Sequence, residues 1–249
     1  MGAKAVAPAV DGIEVIFADA SLLVLNKPPG LLTVPGRGAD KQDCLSRCVQ
    51  QHFVDALIVH RLDMATSGLV MMARGPVIQR ILSRALAEHR VDKFYEAHVQ
   101  GVLLAAPGNG WQTIDLPIGF EWAQRPRRCI DPRAGKSSVT RWRLMNPATP
   151  LTTPIGRSTS THLELAPMTG RTHQLRVHLQ ALGHPIVGDS LYGNCADRCG
   201  GDDDAHPPRV SQHRLMLHAR CLQLQHPLSG EYLQFDSPAN FQAPSTVYY

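Results

Sequence analysis

Short apolar segments along this chain do not alternate strand with helix in any regular order, and that irregularity argues against a doubly wound parallel sheet. Strand-like stretches dominate: Ile13 to Ala18, Leu22 to Leu25, Phe94 to Val99, Ser138 to Met145, His162 to Ala166, and a hairpin from Leu222 to Phe235 around Pro227-Leu228-Ser229-Gly230. Helical spacing is clearest where Val77, Ile78, Ile81, Leu82, Ala85 and Leu86 recur between Gly75 and Arg90, with Pro76 suited to a first turn. Asp43 to Phe53 and Thr169 to Leu182 also read as helices, the second ended by Gly183 and Pro185. The Pro-, Thr- and Ser-rich stretch Asn146 to Thr159 has no period and reads as a loop or insertion, and acidic Asp197 to Pro208 as an exposed connection. The pattern predicts an α+β fold on a largely antiparallel sheet.

With 249 residues, 43% of them apolar, the chain can bury a core as one large domain or two small ones. No apolar run approaches the ~18 residues of a membrane span, and the opening MGAKAVAPAVDG lacks a signal-peptide apolar region. A cytoplasmic protein is expected. Without a secretory signal, the six cysteines are expected to be reduced thiols, with Cys44 and Cys48 on one helix face. Cys195 and Cys199 with His206 invite a zinc reading. Their spacing is loose, no second pair follows, and Asp197, Asp202, Asp203 and Asp204 suit a solvated loop, so no metal is expected.

Charge is more informative in its placement than in its sum. Between Arg125 and Arg143 stand seven cations and one acid, a local +6 that leaves −2 for the rest of a chain whose total is +4. Such a segment suits a surface that meets phosphates, although a solvated basic loop has the same composition. Trp122 and Trp142 flank the run and favour RNA, since aromatic faces stack on bases.

Three polar clusters hold candidate chemistry. HRLDMATSG, His60 to Gly68, sets two cations and an acid directly before the apolar run Leu69 to Ala73. Unpaired charge is costly to bury, so the cluster is either a solvated turn or a site. KFYEAHVQG, Lys93 to Gly101, contains Tyr95, which could be an ordinary strand aromatic. TGRTHQLRVHLQALGHPIVGDSLYG, Thr169 to Gly193, carries Arg171, His173, Arg176 and His178, a set that a solvated helix face would also explain.

Taken in this order, the clusters resemble the RluA-type pseudouridine synthases. The resemblance runs through NKPPGLLTVPG, VHRLDMATSGLV, KFYEAHV, DLPI, RPRRCIDPRAGKSSVT, the long third cluster and LMLHARCLQL, covering Ile13 to Asn240. NKPPGLLTVPGR and HRLDMATSG are similar to the compact members that act on stem-loops of both tRNA and large-subunit rRNA. The resemblance implies a pseudouridine synthase fold: a mixed, mostly antiparallel central sheet flanked by helices and loops, with an RNA-binding cleft. It further implies one catalytic domain over residues 13–240, flexible tails at 1–12 and 241–249, and no upstream S4-type domain.

The implied activity is isomerisation of uridine in RNA to pseudouridine, with the C1′–N1 bond broken and a C1′–C5 bond made. Asp63 matches the family's catalytic aspartate, acting as nucleophile or base at the sugar. Arg176 matches the arginine that pairs with it and keeps it ionised, and Tyr95 the tyrosine that stacks on the target base. Arg61 is placed as in relatives where an arginine replaces the extruded nucleotide, a flip costing a few kcal/mol. His60, Arg125, Arg127, Arg128, Lys136, Arg171 and His173 complete the expected RNA-binding set, with His60 either structural or facing phosphate. No cofactor and no metal are called for, and a monomer is expected. Two other readings compete: a non-catalytic RNA-binding or ribosome-assembly protein on the same fold, and a hydrolase using Asp63 with His60 or His173 to release free base.

Overall fold

The computed structural model describes residues 10–104, 110–153, 156–193 and 214–241. Chain contacts group them into two compact units, one built from Met1–Lys93 with His218–Tyr249 and the other from Phe94–Leu217. In chain order the first unit opens with β1 (Glu14–Ala18), β2 (Leu22–Lys27), α1 (Leu45–His52), β3 (Ala56–Ile58), β4 (Ser67–Arg74) and α2 (Gly75–Ala87). The second unit takes most of β5 (Val91–Gln100), then β6 (Gln112–Asp115), β7 (Ile118–Phe120), β8 (Arg128–Ile130), β9 (Val139–Thr153), β10 (Gly156–Pro167) and α3 (Gln174–Ala181). The chain returns to the first unit with β11 (Leu217–Gln225) and β12 (Tyr232–Asp236). The fold is α+β with a mixed, mostly antiparallel sheet.

In the first unit the strands lie in the order β1-β2-β4-β11, with β12 also paired to β11 and β3 to β4. Only β4 and β11 run parallel among these pairs. The β1–β2 turn is set by Asp19, whose Oδ1 accepts the N–H groups of Ser21 and Leu22, each at 2.7 Å. Leu69 to Ala73 of β4 are fully buried. Leu69, Met71 and Ala73 share a core with Ile78, Leu82 and Ala85 of α2 and with Leu222, Leu224 and Phe235. Burying each such large apolar side chain contributes about 1.5–3 kcal/mol.

Gly68 explains how β4 can begin where it does. Its φ is +111°, and a Cβ there would stand 2.3 Å from the Ala219 carbonyl oxygen of β11. Only glycine permits that approach. Beside it the Ser67 hydroxyl meets His218 Nδ1 at 2.9 Å, while His218 Nε2 donates to the Ser237 carbonyl at 3.0 Å. The end of HRLDMATSG is therefore fastened to the next strand.

In the second unit β5, β10, β9 and β6 form an antiparallel array, and β7 pairs with β8 separately. Here the structure corrects the loop expected over Asn146 to Thr159. β9 and β10 run on through that stretch, pairing Thr149 with Ser160 and Thr153 with Gly156. Backbone pairing needs no apolar alternation, and the β-branched threonines suit an extended chain. The helix expected from Thr169 begins instead at Gln174, because the Gln174 side chain turns the preceding segment back. Its Oε1 accepts from the Thr169 hydroxyl (2.7 Å) and the Arg171 N–H (3.0 Å), and its Nε2 donates to the Val139 carbonyl (3.0 Å). His173, with φ +58°, makes the turn into α3.

Val10 is buried and exchanges backbone hydrogen bonds with Ile13, so the chain is already turned and paired within the stretch expected as a tail. Residues 1–9 of that tail, the segment 242–249, the Asp197 to Pro208 loop and the zinc candidates Cys195, Cys199 and His206 lie outside the described residues. Cys44, Cys48, Cys129 and Cys221 are free thiols. Cys44 caps α1 from an extended backbone instead of lying within the helix. Among the described residues no helix is long and apolar enough to cross a membrane.

Candidate active site

The candidate residues fall in both units. Asp63, His60 and Arg61 belong to the first; Tyr95, Arg125, Arg127, Arg128, Lys136, Arg171, His173 and Arg176 belong to the second.

In the first unit Arg61 is exposed and Asp63 partly so, between buried Leu62 and exposed Met64. The Thr66 N–H donates to the Asp63 carbonyl at 3.1 Å, closing the turn that leads into β4. Lys27 lies beneath this loop, fully buried, and its Nζ donates to the carbonyls of Pro28 (2.8 Å), Leu31 (2.8 Å) and Met64 (3.2 Å). Burial pushes the Lys27 ammonium down to about 7, with the charge of Asp63 acting in the opposite direction. Lys27 is a charged neighbour of the aspartate that the polar clusters of the sequence did not single out.

His60 is anchored to β4. Its Nε2 accepts the Met71 N–H of β4 at 2.9 Å, and burial, assisted by the Lys93 cation, pushes the ring down to about 3. Because the ordinary value of 6.5 lies above the folded value of about 3, the unfolded chain binds its proton first as pH falls, and stability is lost below pH 6.5. Lowering the pH from 7 to 5.5 should cost about 1 kcal/mol through this residue. Urea unfolding checks it: His60→Gln, which keeps an acceptor, should lose less stability than the parent over that interval.

In the second unit Tyr95 lies half-buried on β5 opposite Leu165 of β10. Arg176, expected on a cationic helix that could have been a solvated face, is only 4% exposed, as α3 is buried from Gln174 to Leu179. Its guanidinium makes a two-pronged ion pair with Asp189, Nε to Oδ2 at 2.8 Å and Nη2 to Oδ1 at 2.7 Å. Asp189 also accepts the N–H groups of Leu191 (2.9 Å) and Tyr192 (3.0 Å). His178 is buried between the Thr140 hydroxyl (2.9 Å) and the Leu116 carbonyl (3.0 Å), and burial lowers its pKa, so it is a structural neutral ring.

Tyr192 ties α3 to the basic strand β8. Its hydroxyl accepts the Arg128 N–H at 2.8 Å and meets His173 Nδ1 at 2.8 Å, while the Arg176 guanidinium lies 5.0 Å from its ring centre. Arg171 is exposed and its Nε donates to the Ser137 carbonyl at 3.2 Å, next to exposed Lys136. The cations expected from two separate sequence clusters therefore lie together in this unit.

The aromatic expectation divides. Trp122 is 68% exposed and stacks on Phe120, itself 50% exposed, with ring centres 5.1 Å apart. Arg125 covers Trp122 at 4.4 Å and Arg128 covers Phe120 at 3.7 Å. Trp142, by contrast, is only 6% exposed and turns into the core, so it offers no face to a base. A different tryptophan, Trp111, carries the exposed Arg141 and Arg143 at 5.3 and 4.7 Å. Arg128 Nε is buried with no hydrogen-bond partner among the described residues. Planar cations held on aromatic faces can receive bases by stacking and phosphates by hydrogen bonding.

Asp189, Tyr192 and Lys27 were not named as site residues, although each stands inside a quoted motif. The signal available was an acid in the otherwise apolar and glycine-rich IVGDSLYG, and a lysine adjoining the rigid turn after β2.

Comparison with known proteins is consistent across sequence and structure. The family model described as RNA pseudouridylate synthase matches residues 21–181. A dual-specificity RNA pseudouridine synthase RluA from Yersinia pestis is 38% identical over 228 residues, covering 91% of this chain and 99% of the relative. The protein of the same description from Escherichia coli strain K12 is 36% identical over 92% of this chain and 94% of its own. Among solved structures, human RNA pseudouridylate synthase domain containing 1 superposes with a TM-score of 0.69 at 29% identity, covering 94% of this chain and 86% of the human one. Sequence and fold thus agree with the motifs that surround Asp63, Tyr95 and Arg176, and the chain belongs to the RNA pseudouridylate synthase family.

Proposed function

We propose that this protein converts specific uridines in structured RNA to pseudouridine, with stem-loops of tRNA and large-subunit rRNA as its substrate class, and that it works as a cytoplasmic monomer. The observation that carries this reading is the match to a dual-specificity RNA pseudouridine synthase over 91% of the chain. Residues 13–240 serve as one catalytic domain. Asp63 acts on the sugar carbon of an extruded uridine, as nucleophile or as base, and must be ionised to do either. Arg176 supplies the guanidinium that favours that charge, and its rigid pairing with Asp189 presets its direction. Tyr95 offers a flat face on which the detached uracil can turn. Arg61, exposed beside Asp63, fills the stack that the uridine leaves.

The cations just before β8, on β8, in the turn after it and just ahead of α3 bind the RNA backbone. We assign His60 the structural of its two expected roles, holding the loop through the Met71 N–H. Replacing Arg127 and Arg128 together by glutamine should weaken RNA binding and lower the slope of log affinity against log salt by about 1–2, as expected for one or two lost phosphate contacts. Saturated turnover should change little. Filter binding at several salt concentrations, paired with steady-state kinetics, tests this; an unaltered slope contradicts the assignment. The function as a whole is tested by mapping pseudouridine in total RNA from cells with and without the gene. Specific sites should vanish in the deletion and return with the parent gene, but not with Asp63→Asn.

A further inference from the structure

Backbone groups of the residues on either side of Asp63 are gripped by buried polar side chains at the end of β2 and in the segment that follows it. The Thr33 hydroxyl, 2% exposed, donates to the Leu62 carbonyl at 2.8 Å and accepts the Leu62 N–H at 3.2 Å. On the other side the Met64 carbonyl accepts from Lys27 Nζ at 3.2 Å and from the Gly30 N–H at 2.8 Å. Gly30 reaches that carbonyl with φ +90°, a conformation glycine adopts without strain. Residues 62, 63 and 64 therefore each have a backbone group fixed, while the Asp63 side chain stays partly exposed.

We propose that Thr33 and Lys27 are positioning residues that aim the Asp63 carboxylate by clamping the backbone of its two flanking residues; this rests on Asp63 being the catalytic carboxylate. Burying an ammonium is costly, and here its donors go to three carbonyls, one of them next to Asp63. Thr33 likewise spends both capacities of its hydroxyl on the one residue before the aspartate. Neither contact serves the apolar core. Both limit how far the carboxylate can wander, and a misplacement of about 1 Å at a reacting group can cost on the order of a hundredfold in rate.

The test uses Thr33→Val, nearly isosteric but without the hydroxyl, Thr33→Ser, which restores it, and Lys27→Met. Each is compared with the parent and with Asp63→Asn on a stem-loop transcript, at a temperature where circular dichroism shows the variant folded. We expect kcat to fall about tenfold or more in the valine and methionine variants with RNA affinity unchanged, and the serine variant to return within about threefold of the parent. Parental kcat in either Thr33→Val or Lys27→Met, or a serine variant as slow as the valine one, overturns the proposal. Activity remaining in Asp63→Asn would remove the catalytic reading itself, whereas an inactive Asp63→Asn beside fully active clamp variants would remove only the clamp. Should Thr33→Val not fold, amide exchange on the parent decides: protection of the Leu62 N–H supports the clamp, and exchange at an open-loop rate overturns it.

Discussion

Asp63→Asn should bind a stem-loop transcript as tightly as the parent and form no pseudouridine, with turnover reduced by more than about a thousandfold. Asparagine preserves shape and removes charge. It can neither attack a sugar carbon nor take its proton, functions that contribute up to about ten-thousandfold when a positioned carboxylate supplies them. The loop around Asp63 should keep its course, because backbone contacts hold it: Thr33 on Leu62, Lys27 and Gly30 on Met64, and the Thr66 N–H on the Asp63 carbonyl. Gel-shift affinity and single-turnover kinetics separate binding from chemistry, and turnover near the parent rate would remove Asp63 from its role.

The second large effect concerns Asp189, whose side chain is fully buried against Arg176. Removing one partner of a buried ion pair costs about 3–5 kcal/mol. Asp189→Ala should lose about that much, since the Leu191 and Tyr192 N–H groups lose their acceptor as well. A single domain is stable by about 5–15 kcal/mol, so much of the alanine variant should unfold on mild heating. Combining Asp189→Leu with Arg176→Met removes both charges at once and should recover part of the lost stability, because an apolar pair avoids burying a charge without its partner while the two N–H groups still lack their acceptor. Turnover should not recover with it if Arg176 holds the Asp63 charge as proposed. Urea denaturation and kinetics on the same preparations give both results. A stable, active alanine variant would deny Asp189 any part in fixing Arg176.

These two residues also show how unevenly the sequence was readable. Asp63 stood out as an acid between a basic pair and an apolar run, yet its role came from the order of motifs along the chain, not from periodicity. Asp189 lay in plain view within IVGDSLYG. Its partner is thirteen residues away on α3, and pairing at that distance depends on how the chain turns, which no local pattern encodes. The strands β1 and β2 and the helix α2 were legible because apolar period and turn residues agreed there. The extension of β9 and β10 was not, because serine, threonine and proline pair as strands there without an apolar face to mark them. Thr169 to His173 kept a helical composition, but the Gln174 side chain captured their polar groups and delayed the helix. Trp122 and Trp142 looked equivalent beside the basic run, although one faces outward and the other joins the core. Strand alternation near Trp142 was too imperfect to tell inside from outside.

The central claim is that the purified chain moves uracil from nitrogen to carbon attachment without breaking the RNA. A transcript labelled with tritium at C5 of uridine measures this directly, because forming the C1′–C5 bond displaces the C5 hydrogen into water. About one tritium per target site should be released from tRNA or large-subunit rRNA stem-loops, with intact RNA and no free base. Unreleased label with bound RNA, or uracil appearing in solution, would contradict it.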